Sequence, residues 1–171
     1  TAMHLVLQYY NYEGNKDLEN LDQEIDQLVE LGKLNSLMVP YLSKEALNWF
    51  VMSDFAREFW KQPDKLHRES QFSSLVNASE LFSDFSDPSA KILVHGTVDG
   101  YFEAKDGLVL FDYKTDFVDK TNEEQAIEKI KQKYTGQLRL YEQALNEMNN
   151  DKKVIGKYLI LLDARKVVPV D

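Results

Sequence analysis

The chain has 171 residues, 43% of them hydrophobic, which suits one globular domain with its own core rather than two. The lack of cysteine excludes disulfides, thiolate metal sites and cysteine-bound iron–sulfur clusters, and no apolar run is long enough for a membrane span. The net charge of −9 argues against an unaided nucleic-acid binder, because phosphate contacts need a basic surface unless bound cations supply the charge.

The first third of the chain is predicted to be helical. Residues 1–12 are predicted to form a short apolar helix, and residues 17–31 carry apolar side chains at the spacing of an amphipathic helix. Ser43 can cap a third helix that extends to about Lys61, and Pro63 then breaks the chain.

The middle of the chain changes to the alternating pattern that is typical of strands. We expect strands over residues 66–76, 92–104 and 108–114, with a turn-rich stretch over residues 83–89. The Asp106-Gly107 pair between the last two of these strands indicates a hairpin with a two-residue turn.

The last third is predicted to hold one long helix followed by strands. Thr121 and Glu124 have the spacing of a capping box and are expected to open a helix that ends near residue 149. A last buried strand is predicted over residues 154–162, and residues 167–170 are expected to be a short extension. The expected order is therefore helices, three strands, a helix and a final strand with a short extension.

The predicted hairpin brings three charged side chains together. A two-residue turn at Asp106-Gly107 places Asp99 opposite Lys114 and Tyr101 opposite Asp112. Because side chains alternate between the faces of a strand, the two aspartates and the lysine share one face. Directly opposed Cβ atoms are about 5 Å apart, so two carboxylates and an ammonium are expected to converge. A bulge near the glycine that follows Asp99 would change this register.

Such a cluster has a catalytic and a structural interpretation. Two carboxylates at this separation can share divalent cations that polarise a phosphate, and Lys114 can orient water or neutralise developing charge. The alternative is a cross-strand salt bridge between Asp99 and Lys114 on a solvated face. Leu108 and Leu110 are predicted to share the charged face, which indicates that part of it is covered.

Motifs along the chain resemble those of a known family, in the family's order. GTVDG at residues 96–100 and FDYKTD at residues 111–116 resemble the paired core motif of the PD-(D/E)XK nuclease superfamily. QLRLY at residues 137–141 resembles the Gln-x-x-x-Tyr motif of its RecB-like branch. TAMHLVLQ at residues 1–8 resembles the histidine helix of that branch, and HRE at residues 67–69 its Arg-Glu element.

The resemblance implies a role for each matching residue in the core motifs. Asp99 and Asp112 match the metal-binding catalytic acids, and Lys114 matches the catalytic lysine. His4 matches an additional metal ligand, and the backbone carbonyl of Tyr113 is expected to complete the metal site. The implied cofactor is Mg²⁺ or Mn²⁺, with no iron–sulfur cluster.

The remaining positions lie outside the predicted metal site. Gln137 and Tyr141 are four residues apart and share a helical face, and the resemblance implies that they line a DNA channel and support the lysine. Glu69 is either a carboxylate just outside the metal ligands or an ordinary strand residue. Asp116 is expected to bind only solvent. The remaining histidines, His67 and His95, are predicted to be structural.

The resemblance also implies a fold. We expect an α/β restriction-endonuclease-like core, a mixed sheet flanked by helices, with a helical N-terminal insertion. Residues 1–171 are predicted to be a single nuclease domain, with the helical segment at about 1–62 and the nuclease core at about 63–171.

Within the RecB-like branch, the chain is most similar to the C-terminal nuclease domain of AddA/RexA-type helicase–nuclease subunits. This implies a cytoplasmic, metal-dependent exonuclease that processes double-strand breaks. The expected partners are a single DNA strand delivered by a helicase portion N-terminal to residue 1, and an AddB/RexB-like subunit. The alternatives are a catalytically silent nuclease fold that guides DNA or docks a partner, and a stand-alone RecB-like nuclease.

Overall fold

The computed structural model describes residues 1–14, 18–84 and 86–171. The predicted helix start at Asp17 and one position of the predicted turn stretch, Phe85, lie outside the described residues. In the part of the chain that is described, no helix is long and apolar enough to cross a lipid bilayer.

Helices dominate the first third of the chain, as predicted. They are separated by short connections, one of which is a 3₁₀ helix over Ser36–Tyr41. In chain order, the helices are α1 (Ala2–Tyr9), α2 (Leu18–Glu30), α3 (Lys44–Val51) and α4 (Arg57–Lys61).

The predicted helix from Ser43 to Lys61 is two helices, so that prediction was wrong in its extent. Its start is confirmed, because the Ser43 hydroxyl accepts a hydrogen bond from the Ala46 N–H at 3.2 Å. The break follows Val51, where the Ser53 hydroxyl donates to the Phe50 carbonyl at 2.5 Å. Serine competes in this way with the backbone hydrogen bonds of a helix, which ends the first segment.

Five strands form one mixed sheet in the order β1-β2-β3-β4-β5, which confirms the predicted fold class. Strands β3 and β4 are parallel and are joined by helix α6 (Glu123–Met148), while the other neighbouring pairs are antiparallel. A short helix, α5 (Ala78–Leu81), between the first two strands was not predicted. The strands are β1 (Leu66–Asn77), β2 (Lys91–Glu103), β3 (Leu108–Lys114), β4 (Val154–Leu161) and β5 (Lys166–Val170).

Both faces of the sheet are covered, so β3 is buried on both sides. Phe111 and Tyr113 pack against helices α1 to α4, whereas Leu108 and Leu110 pack in a second core beneath α6. The face that carries Asp112 is therefore the face that α6 covers, as the two leucines predicted.

The start of α6 differs from the prediction of a capping box at Thr121 and Glu124. Thr121 lies in a 3₁₀ turn before the helix, and Asp119 caps that turn by accepting the Thr121 N–H at 3.0 Å. The Thr121 hydroxyl donates to the same carboxylate at 2.7 Å and is therefore occupied. Helix α6 then begins at Glu123.

The hairpin register differs from the prediction by two residues. Gly100 pairs with Phe111 and Glu103 with Leu108, which leaves a four-residue loop rather than a two-residue turn. The loop is shaped by the chain before β4, because the Leu108 N–H donates to the Lys153 carbonyl at 2.8 Å. A shift of two residues keeps every side chain on its face, so the predicted shared face of the charged residues survives the error.

Candidate active site

The two predicted acids lie where β2 and β3 separate. Backbone pairing between these strands ends at Gly100 and Phe111, one residue before Asp112. Beyond that point, the Asp99 carboxylate accepts the Tyr113 N–H at 2.8 Å and takes the place of a backbone acceptor. Asp99 therefore holds β3 while its carboxylate faces Asp112, which is only 3% exposed.

Lys114 lies against the second acid. Its Nζ is 2.7 Å from Asp112 Oδ2 and donates to Gln137 Oε1 of α6 at 2.8 Å. The predicted placement of Lys114 directly opposite Asp99 was wrong, because the observed register puts Asp112 across from Asp99. Lys114 instead contacts Asp112, which lies two residues before it on the same strand. The alternative of a solvated salt bridge also does not describe this pair, since the Asp112 side chain is 4% exposed.

His4 reaches the same cluster from the first turn of α1. Thr1 caps this helix, and its hydroxyl lies 2.6 Å from His4 Nδ1. The opposite ring nitrogen, Nε2, lies 2.9 Å from the Tyr113 carbonyl oxygen and 3.3 Å from Asp99 Oδ2. The structure therefore brings together the four predicted metal-binding groups: one imidazole, two carboxylates and one backbone carbonyl.

The electrostatics of the cluster follow from burying two carboxylates side by side. Burial, followed by the hydrogen bond and repulsion with Asp99, raises the pKa of Asp112, and Lys114 only partly opposes this. Burial would also raise the pKa of Asp99, but hydrogen bonds with His4 and Asp112 lower it on balance. The hydrogen bond to Asp99 in turn raises the pKa of His4. Added positive charge would let both carboxylates ionise together.

The donor set fits a hard divalent cation. Asp112 Oδ2 is fully buried and has no directed hydrogen bond, although the Lys114 ammonium is close to it. Carboxylate and carbonyl oxygens suit Mg²⁺, and an imidazole among them also suits Mn²⁺. Among the described residues, no three His, Asp or Glu side chains already stand at ligand spacing, so a cation would require these side chains to rotate.

Helix α6 supplies the other two predicted positions. Gln137 accepts the hydrogen bond from Lys114, and Tyr141 packs edge-on against Phe72 with ring centroids 5.4 Å apart. Burial, with the negative charges of Asp112 and Asp99, raises the pKa of Tyr141 to about 12. Tyr141 therefore stays a neutral phenol that can donate a hydrogen bond.

Glu69 lies on β1, at the position opposite Asp99 of the neighbouring strand β2. The flanking residues pair in register, Arg68 with Gly100 and Ser70 with Val98, while Glu69 itself has a left-handed backbone (φ 50°). Burial, followed by repulsion from Asp99, raises the pKa of Glu69, which places its carboxylate within electrostatic reach of the cluster. Non-glycine residues seldom adopt this conformation, and it is common near functional sites.

The other two histidines have partners outside the cluster. The His67 ring stacks on Tyr101 with centroids 4.6 Å apart, and its Nε2 lies 3.5 Å from Glu103. His95 Nδ1 lies 2.6 Å from the Ser73 hydroxyl. These contacts agree with the structural roles predicted for both histidines.

Sequence reasoning gave no role to Arg68. Its guanidinium donates to the carbonyls of Leu7 and Tyr10, at 3.0 and 2.7 Å, and so ties the end of α1 to β1. Because α1 carries His4, this contact indirectly sets the position of the imidazole. The only sequence signal was the HRE segment at residues 67–69, in which the arginine itself was left without a function.

Asp116 is not limited to solvent, contrary to the prediction. It accepts hydrogen bonds from Tyr134 and Lys133, at 3.0 and 3.1 Å. No motif pointed to Tyr134, which also lies beside Lys114. The sequence signal that could have found it is its position three residues before Gln137, on the same face of α6.

A mixed sheet between two helical layers, with paired strand carboxylates and a lysine two residues after the second one, defines a nuclease-type core. The sequence profile of the PD-(D/E)XK nuclease superfamily matches residues 1–170, and the chain belongs to this superfamily.

Relatives with close similarity are named as subunits of an ATP-dependent helicase/nuclease. The chain is 96% identical over 171 residues to the protein of Lactobacillus gasseri and 82% identical over 171 residues to that of Lactobacillus johnsonii. It is 65% identical over 170 residues to the protein of Lactobacillus helveticus. These matches cover 99–100% of this chain but only 14% of each relative, so the chain spans about one seventh of their length.

Proposed function

We propose that this chain is the DNA-cleaving domain of an ATP-dependent helicase/nuclease and that it hydrolyses phosphodiester bonds with Mg²⁺ or Mn²⁺. The observation that carries the proposal is the pair of facing carboxylates, the partly buried Asp99 and the buried Asp112, with His4 against the first and Lys114 against the second. A structural ion pair would need only one carboxylate for the lysine, whereas a cation site needs both.

The cation would be held by His4, Asp99, Asp112 and the carbonyl of Tyr113. When bound, it supplies Lewis-acid stabilisation of the phosphate and favours the formation of hydroxide from water. Burial of these residues excludes bulk water, which strengthens every charge interaction within the cluster.

The remaining residues bind and orient the substrate. Lys114 presents an ammonium that neutralises negative charge as it develops on the phosphate, and Gln137 keeps this ammonium in place. Tyr141, as a neutral phenol, can donate a hydrogen bond to a phosphate oxygen. Glu69 adds negative charge beside Asp99 and would strengthen the attraction for a cation.

The acidity of the chain favours delivery of DNA by another part of the complex. A net charge of −9 opposes binding to a polyanion and makes unaided affinity weak. A helicase portion of the same polypeptide, preceding a C-terminal nuclease domain, would thread one strand to the site, and an AddB/RexB-like subunit would complete the enzyme. Within the domain, the helical segment at about 1–62 would serve to bring His4 and its supports to the nuclease core.

Metal binding tests this proposal directly. Without nucleotide, the full-length protein should bind Mn²⁺ at a site that Asp112→Asn abolishes, measured by calorimetric titration. Asp106→Asn is the matched control, because Asp106 is an exposed aspartate in the loop between β2 and β3 and should leave the site intact. Equal Mn²⁺ binding by the two variants would contradict the proposal and favour a silent nuclease fold.

Arg68 should affect cleavage through α1. Arg68→Met removes both hydrogen bonds to the helix, so the free energy of unfolding should fall by about 1–2 kcal/mol. Because His4 loses its support, DNA degradation should slow about 10-fold, as is typical when a residue that supports metal ligands is lost. Chemical denaturation and a degradation assay on the full-length enzyme measure the two effects.

The control for Arg68 is Arg57→Met. Arg57 forms an exposed ion pair with Asp54 and should be nearly neutral in both assays. If Arg68→Met degrades DNA as fast as Arg57→Met, the position of α1 does not govern the site.

A further inference from the structure

A tyrosine outside the motifs lies directly against the proposed catalytic lysine. Lys114 Nζ is 3.9 Å from the centroid of the Tyr134 ring, well within the distance of a cation–π contact. Tyr134 precedes Gln137 by three residues on α6, so the two side chains share a helical face and reach the same ammonium.

The Lys114 ammonium therefore has three neighbours of different chemistry. Asp112 Oδ2 lies 2.7 Å away and Gln137 Oε1 lies 2.8 Å away, while the Tyr134 ring supplies a π face. A lysine side chain carries about 2 kcal/mol of rotamer entropy, so contacts that restrain it favour one position of the charge. The two oxygens draw the ammonium towards themselves, and the ring adds attraction from a third group.

Tyr134 is itself held in place by the chain that follows β3. Its hydroxyl donates to Asp116, with both carboxylate oxygens at 3.0 Å. Lys133 forms an ion pair with the same carboxylate at 3.1 Å, and the Asp116 side chain is only 22% exposed. The ring is thus anchored at its hydroxyl end while its face receives the lysine.

We propose that Tyr134 is a positioning residue for DNA cleavage, whose ring holds the Lys114 ammonium beside Asp112 and whose hydroxyl is fixed by Asp116. This inference rests on the proposed function of Lys114. Tyr134 acts through the lysine and touches neither the phosphate nor the cation, so its loss reduces turnover rather than substrate binding.

The competing role is packing, because Tyr134 also contacts the core beneath α6. The two roles depend on different properties of the side chain. Packing depends on size and apolarity, which fluorinated phenylalanines nearly preserve. Holding the ammonium depends on the negative potential of the ring face, which each added fluorine weakens.

The test uses the full-length protein in complex with its partner, with degradation of linear DNA as the readout. Tyr134→Phe should keep turnover within about 3-fold, because the ring remains and only the tether to Asp116 is lost. Tyr134→Leu should lower kcat about 10-fold with KM unchanged. Phenylalanines with one, two and three ring fluorines at this position should lower kcat progressively.

Tyr9→Leu is the matched control. Tyr9 forms a similar pair with Lys33, whose Nζ lies 4.2 Å from its ring centroid, and this pair lies outside the cluster. Its loss should leave kcat unchanged. Equal turnover across the fluorinated series, or an equal loss in Tyr9→Leu, would overturn the inference.

Lys114→Ala distinguishes a failure of the positioning role of Tyr134 from a failure of the role proposed for Lys114. If that variant is inactive while every Tyr134 variant cleaves at the normal rate, the positioning role fails and the nuclease proposal stands. If Lys114→Ala cleaves at the normal rate, the catalytic assignment of Lys114 fails, and the positioning role fails with it.

Discussion

Replacing Lys114 with alanine should lower the rate of DNA cleavage by the full-length enzyme by about 10²–10³-fold. The ammonium lies within a largely buried cluster, where its charge is poorly screened, so water cannot substitute for it. ATP-driven unwinding should continue, because the proposed helicase portion does not use this site. Parallel assays of strand degradation and unwinding on the same DNA separate the two activities.

Lys157→Ala is the control for this experiment. Lys157 forms a comparable ion pair with Glu142 of α6, and its side chain is 11% exposed. Its loss should carry a similar cost in folding without removing a charge from the Asp112 cluster. If the two lysine variants cleave DNA equally well, Lys114 has no catalytic role and the site must be reassigned.

The shared face of the charged residues was predictable, because it depends only on whether the register error is an even or an odd number of residues. The hairpin loop has four residues rather than two, yet Asp99 and Asp112 still lie together, since an even shift keeps every side chain on its face. The residue that lies opposite Asp99 was predicted wrongly, because it depends on the hairpin register. The first residue of β3, Leu108, is hydrogen-bonded to the carbonyl of Lys153, far away in the chain, and a local turn motif carries no information on such a contact.

The supports of the site could not be predicted, because they join elements far apart in the chain. Arg68 reaches α1 across about sixty residues, and Tyr134 reaches Lys114 only after α6 packs on the sheet. Periodicity predicts which face of an element is apolar, but not which polar residue of another element will meet it. The matched motifs identified Gln137 and Tyr141, whereas Tyr134 belongs to none of them.

Local polar competition accounts for the two errors in helix boundaries. The Ser53 hydroxyl donates to the Phe50 carbonyl at the end of α3, and the Asp119 carboxylate accepts the Thr121 N–H before α6. Serine and aspartate also occur inside helices, so the presence of these residues alone does not predict that a helix will end or begin beside them. The order of the long elements was nevertheless correct, because their apolar patterns extend over many residues.

The largest expected effect on stability comes from Gly100→Ala. A Cβ atom at this position would lie 2.2 Å from Cζ of the Phe111 ring, so one of the two must move. The ring is fully buried and has aromatic neighbours with centroids 5.4–6.5 Å away, namely Phe50, Phe55, Phe59 and Tyr113. Overpacking usually costs about 1–3 kcal/mol, and we expect about 3 kcal/mol here because the ring has no free side.

The clash in Gly100→Ala would also disturb the candidate active site, because Gly100 follows Asp99 and pairs with Phe111 just before Asp112. In thermal denaturation, the melting temperature should fall by about 2–4 °C for each kcal/mol of unfolding free energy that is lost. In a Phe111→Leu background, the same glycine substitution should cost much less, because the clashing ring is gone. Gly136→Ala, at an exposed position of α6 with nothing within 4 Å, should instead stabilise the domain by about 0.5–1 kcal/mol. An equal cost of Gly100→Ala in both backgrounds would show that the glycine is needed for its backbone conformation rather than for the close approach of Phe111.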